Sequence, residues 1–176
     1  IGVSAVVEMC TMTRAPTSAQ CRASAASDVD RGQRMHPETD FAVIEIGMSN
    51  TGEIAPRSIM TRPHVAWVTT IGAAHLQAFD DVTGIAREKA AIIDGLVPGG
   101  IAVLNADTET SLILQNYASK RKVTQVLFGK MSSTWKLEHV TLAQGLTLVQ
   151  AFTPNGPLIF KLSTAGRHFA MNGVGI

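Results

Sequence analysis

Three side chains pose the chemical question first: a carboxylate, Glu45, inside the apolar run VIEIG; an imidazole, His75, in AAHL; and an amine, Lys89. Val82, Ile85, Ala86, Lys89, Ile92, Ile93 and Leu96 recur at spacings of three and four, one face of a helix, whereas Arg87, Glu88 and Asp94 fall off that face. Lys89 therefore points inward. Such a lysine either packs its stem and lifts its ammonium to water, or carries a depressed pKa or a modification at a functional site. A carboxylate among Val and Ile is costly to bury unless it meets a cation, a metal or hydrogen-bond donors; its plain alternative is a structural salt bridge. His75 alone reads as a packed or surface histidine, but with Glu45 and Lys89 it makes an oxygen- and nitrogen-rich cation site plausible. Asn105 and Asp107 in VLNAD suit a turn and helix cap as well as a ligand role, and His168 and Asn172, four apart in GRHFAMN, share a helix face.

These residues need elements to hold them. FAVIEIG, HVAWVTTI, IAVLNA and VTQVLFG read as strands, and GEIAPRSIM, residues 82–96 and TETSLILQNYASK as helices. Their alternation predicts an α/β fold, a mostly parallel sheet flanked by helices, with Glu45, His75 and Asn105 near the carboxyl edge where such sheets bind ligands. After Gly129, WKLEHVTL, GLTLVQAF and PLIFKLS, separated by turn residues, predict an antiparallel patch. STAGRHFAMN reads as a loop opening a helix. Residues 1–40 are set apart as an irregular segment, because TRAPTSAQCRASAASDVDRGQR has no period and almost no β-branched or aromatic residues.

Composition removes several classes of function. The 176 residues are 45% hydrophobic and carry 15 basic against 14 acidic side chains, enough for a core and without a basic face for nucleic acid or an anionic membrane. No apolar run reaches the roughly 18 residues of a membrane span. Cys10 and Cys21 fit neither a disulfide framework nor a C-x-x-C pair, which suits a reducing cytoplasm. The chain starts at Ile1 and stops within an apolar pattern, so a fragment of a longer protein is expected.

The stretch from DFAVIEIGMSNTGEIAPRSIM through AAHLQAFDDVTGIAREKAAIIDGL to VLNAD, with GRHFAMN beyond it, resembles the central ATP-binding domain of the Mur ligases. Within them it is similar to the members that join D-alanyl-D-alanine to a UDP-N-acetylmuramoyl tripeptide, and the likeness covers roughly residues 37–176. The resemblance implies a P-loop NTPase-like fold, ATP and Mg2+ as cofactors, those two substrates as partners, a bacterial cytoplasmic location and a monomer. It implies an acyl-phosphate mechanism: ATP phosphorylates the peptide's terminal carboxylate, and the amine of D-alanyl-D-alanine displaces phosphate. It further implies that Glu45 and His75 bind magnesium, that Lys89 is carbamylated and helps hold a cation, and that Asn105, Asp107, His168 and Asn172 lie at the nucleotide. The MSNTGEI loop would face the peptide substrate, with Asn50 foremost.

The departures are specific. The family's glycine-rich phosphate loop ends in Gly-Lys-Thr or Gly-Lys-Ser; no such triplet occurs here, and the first lysine in the chain is Lys89. Thr70 stands where the family often has asparagine. Residues 41–176 are thus expected to be a partial central domain, inactive on its own.

Overall fold

The computed structural model describes residues 6–11, 41–72 and 79–176, with backbone alone for 6–11 and 41–43. Eight strands form one sheet: β1 (Val6–Thr11), β2 (Phe41–Glu45), β3 (Val65–Val68), β4 (Ile101–Asn105), β5 (Thr124–Gly129), β6 (Trp135–Ala143), β7 (Leu146–Thr153) and β8 (Gly156–Leu162). The helices are α1 (Ile54–Thr61), α2 (Val82–Ala90), α3 (Ser111–Lys120) and α4 (Arg167–Gly175).

The strand order is β2-β1-β3-β4-β5-β6-β7-β8. β3, β4 and β5 pair in parallel, as the alternation predicts, and α3 makes the crossover from β4 to β5. β6, β7 and β8 form the predicted antiparallel patch. The two parts join through a jog: Phe128 and Gly129 at the end of β5 pair in parallel with Trp135 and Lys136 at the start of β6. No long crossover is needed there, because β6 begins where β5 ends and runs on in the same direction.

One strand departs from the expectation. Val6–Thr11, in the segment set apart as irregular, forms β1, which lies antiparallel between β2 and β3. A short run with two adjacent valines has the β-propensity to fill a gap in a sheet, a preference that depends on its neighbours and so leaves little periodicity to read. Because β1 opposes both strands, β2 and β3 point the same way. Glu45, at the end of β2, faces Val7, which on its other side faces Trp67; Glu45 and β3 therefore lie two strand spacings apart, about 10 Å.

Alternation along the central strands builds two cores. Ala66, Val68, Ala102 and Leu104 face α1, α2 and α3, where Ile54, Ile85, Ile92, Ile93 and Leu114 complete the first core. Trp67 and Phe128 face the other way and pack with Leu137, Val149, Ala170 and Val174 beneath α4. Helix 82–96 is foreseen as one piece, but α2 ends at Ala90 and Ala91–Gly95 is a 3₁₀ turn. Tight packing accounts for the change: a Cβ on Gly95 would lie 2.1 Å from the Ser58 carbonyl oxygen of α1, so the last turn must narrow against α1.

Candidate functional site

The site is built at the carboxyl ends of β3 and β4. Beyond Val68 the chain leaves the sheet at Thr69 and Thr70, and each carbonyl captures a side chain from another element. Lys89, 3% exposed, donates from Nζ to the Thr70 oxygen at 2.7 Å. Asn105, 5% exposed, donates from Nδ2 to the Thr69 oxygen at 2.8 Å. The inward orientation read from the helix stripe is thus correct, and the snorkelling alternative is not what the chain adopts. Burial holds the Lys89 amine below the usual lysine range, since an ammonium loses hydration there. Among the described residues no ion pair to Lys89 offsets that loss.

Asn105 and Asp107 form a single brace. The Asn105 Oδ1 accepts the Asp107 backbone N–H at 2.9 Å, and the Asp107 carboxylate accepts the N–H groups of Lys130 and Met131 at 2.8 Å each. The ends of β3, β4 and β5 are thereby tied in sequence. Gly129, with φ of 136°, is the residue that permits it: a Cβ there would lie 2.6 Å from an Asp107 carboxylate oxygen. Asp107 is a clamp on the loop after β5, so the turn reading of VLNAD is realised, while the helix-cap reading is not: the N-cap of α3 is Thr110.

Glu45 corrects the sequence reading. It is exposed, at the last position of β2, so the desolvation argument that demanded a partner does not apply. The strand ends at this glutamate, and the burial of the VIEIG run resumes at Ile46. His75 lies outside the described residues. Among the described residues no three His, Cys, Asp or Glu side chains gather as a metal-binding group.

The loop Gly47–Glu53 is held more firmly than its composition suggests. Glu53 accepts the Ser49 N–H and the Asn50 side-chain amide, each at 3.0 Å, and pairs with Arg57 at 3.1 Å. The Ser49 and Asn50 donors, then Arg57, hold its carboxyl below the usual carboxylate range. Arg57 also donates to the Gly47 carbonyl. From α2, the Glu88 carboxylate accepts the N–H groups of Gly52 at 2.8 Å and Ile54 at 2.9 Å. The sequence gives little warning of Glu88: it is off the apolar stripe, and its partners lie 36 and 34 residues away.

His168 lies at the start of α4, on the other side of the sheet, and Asn172 one turn further along it. His168 is exposed, its ring 4.0 Å from that of Phe169, and Asn172 is half-buried. Beside α4 an apolar groove of about 350 Å³ runs over Val65, Trp67, Ile101, Val103, Val126 and Ile176. No ionisable side chain lines it, so the polar edge and not this groove is the candidate site.

The parallel strands β3, β4 and β5, with polar groups gathered at their carboxyl ends, present the edge at which α/β sheets bind ligands, and comparison with known proteins specifies the class. The family described as the Mur ligase middle domain matches residues 26–175, and the chain belongs to the Mur ligase family. It is similar to the UDP-N-acetylmuramoyl-tripeptide--D-alanyl-D-alanine ligase of Escherichia coli (strain K12), 36% identical over 141 residues. That alignment takes in 80% of this chain but 31% of the relative, so the chain spans about a third of the length of this relative. Among solved structures, MurF from Acinetobacter baumannii superposes with a TM-score of 0.69 at 28% identity, over 75% of this chain and 28% of that one. MurF from Thermotoga maritima, solved in complex with ADP, gives 0.62 at 25% identity over 72% and 29%.

Proposed function

We propose that this chain is part of the catalytic core of an ATP-dependent amide ligase of peptidoglycan precursor synthesis, acting on a UDP-N-acetylmuramoyl tripeptide and D-alanyl-D-alanine. The observation that carries the proposal is the family match over residues 26–175 together with the named Escherichia coli relative. In this reading the peptide's terminal carboxylate takes a phosphoryl group from ATP, and the amine of D-alanyl-D-alanine then displaces phosphate to form the amide. Magnesium, when bound, neutralises charge on the transferring phosphoryl group. Glu45, His75 and Lys89 are assigned to hold it, Asn105, Asp107, His168 and Asn172 to the nucleotide, and Asn50 to the tripeptide.

Lys89 fits its assignment chemically. Its depressed pKa enlarges the fraction of neutral amine, the form that adds carbon dioxide with loss of one proton. The resulting carbamate keeps one N–H, which can go on donating to the Thr70 oxygen, and presents a carboxylate to a hard cation. Asn105 retains one amide hydrogen and one lone pair beyond the two bonds it makes, enough to meet a nucleotide without dismantling the brace. The absence of a Gly-Lys-Thr or Gly-Lys-Ser triplet favours a second reading, a non-catalytic remnant that keeps the sheet and has lost phosphate binding.

Calorimetric titration of the chain with ATP and magnesium separates the two. Saturable binding supports the ligase reading, and no heat at millimolar ATP sinks it for this chain. ADP release in the presence of both substrates is the assay for turnover; the chain by itself is expected not to turn over. Labelled bicarbonate should give a carbamate resonance that is lost in Lys89→Met.

A further inference from the structure

Glu88 occupies a place that the proposed function leaves unused. It immediately precedes Lys89 on α2, off the apolar stripe, and its two carboxylate oxygens each take one backbone N–H from the far side of a loop: Gly52 at 2.8 Å and Ile54 at 2.9 Å. Ile54 is the first residue of α1, whose own N-cap residue, Glu53, makes no capping bond with its side chain. Glu53 is turned the other way, onto Ser49 N and Asn50 Nδ2. Two carboxylates thus divide the loop between them, Glu53 shaping its tip from within and Glu88 fastening its base to another helix. Gly52, at φ of 82°, is the bend that presents its N–H to Glu88.

We infer that Glu88 is a positioning residue: through Gly52 and Ile54 it fixes the loop carrying Asn50 in register with the helix carrying Lys89. The inference rests on the reading of Asn50 as a tripeptide contact. A bidentate anion on two amides at a helix start is a strong and directional restraint, stronger than neutral bonds and favoured by the helix dipole. Lys89 is anchored to Thr70 after β3, and Glu88, one residue earlier, to the loop after β2. A single turn of α2 therefore sets the distance between two parts of the polar edge that the sheet alone leaves separate. A simple cap would matter for stability alone, whereas a positioning residue must also alter what the loop binds.

The test uses the full chain, nitrogen-15 labelled, with UDP-N-acetylmuramoylalanyl-D-glutamyl-2,6-diaminopimelate as probe. Glu88→Ala should raise amide exchange at Gly52 and Ile54 by about tenfold or more, leaving Ala102, Leu104 and Val126 unchanged as controls of folding. Glu88→Gln, which keeps one acceptor oxygen, should fall between, and serves if the alanine variant does not fold. In the unsubstituted chain the probe should shift the Ser49–Gly52 amides and the Asn50 side-chain amide, and Glu88→Ala should weaken that binding by about tenfold. Unchanged exchange at Gly52 and Ile54 overturns the clasp itself. Raised exchange with undiminished probe affinity overturns the positioning role and leaves the tripeptide reading intact. Raised exchange with no probe shift in the unsubstituted chain overturns the tripeptide reading of Asn50, and Glu88 is then a helix cap.

Discussion

The groups at the ends of β3 and β4 and the groups on α4 both include a side-chain amide and a nitrogen base, yet they are held in opposite ways. Lys89 and Asn105 are buried and bonded to consecutive carbonyls, and Asp107 is spent on two backbone amides. His168 stands exposed at the start of α4, and Asn172 is half-buried one turn further on. The difference teaches that the edge of a sheet can be rigid before any ligand arrives, while a helix start on its flank keeps its polar atoms available. On the proposed assignments the first region must serve a ligand with the hydrogen and lone pair that its bonds leave over, whereas the second offers side chains that are exposed or half-buried.

The largest expected effect falls on the rigid side. Asn105→Ala removes both bonds of a buried amide and should cost about 2–4 kcal/mol, read as a lower midpoint in urea unfolding. A loss within experimental error would show that the brace between β3 and β4 is idle. Asp107→Ala, which leaves the Lys130 and Met131 amides without their charged acceptor, should cost about 1–3 kcal/mol.

Proton linkage at Lys89 comes next. Its folded pKa lies below the unfolded value near 10.5, so between the two the unfolded chain binds more protons. Stability should therefore rise as pH climbs through that window, and Lys89→Met should flatten the rise in a series of melting temperatures up to pH 10. Tyr117 gives the opposite sign at higher pH. Burial first, then the bond to Asp94, pushes its pKa up to about 12, so the folded chain holds the extra proton and stability falls above pH 10. Tyr117→Phe should remove that fall.

The smallest stability effect belongs to α4. His168→Ala and Asn172→Ala should each stay within about 0.5 kcal/mol in unfolding, while magnesium-ATP binding by calorimetry weakens. A stability loss comparable to that of Asn105→Ala would erase the contrast between the two regions.

Much of this was legible from periodicity. The stripe through Val82, Ile85, Lys89 and Ile92 gave the inward lysine because 3.6-residue repetition is a property of the local chain. The parallel strands and the antiparallel patch were legible for the same reason, each bounded by turn residues. β1 was not, since six residues with little pattern become a strand only when two neighbours supply its hydrogen bonds. Glu45 misled because an apolar run suggests burial, whereas exposure at a strand's last residue depends on what lies beyond it. Glu88 was missed because bonds to Gly52 and Ile54 span more than thirty residues and leave no trace in spacing.

The sequence by itself determined most of the elements from β2 onward and the residue types at the sheet's carboxyl edge, because side-chain periods of two and 3.6 follow from local backbone geometry. Its ordered motifs also carried the family resemblance. Only the tertiary structure decided which polar atoms are already committed. Thr69 and Thr70 become acceptors for Asn105 and Lys89 because β3 ends beside β4 and beneath α2, and Glu88 reaches its loop because α2 crosses the start of α1. Hydrogen bonding is short-ranged in space and indifferent to separation along the chain, so those choices arise only when the elements pack.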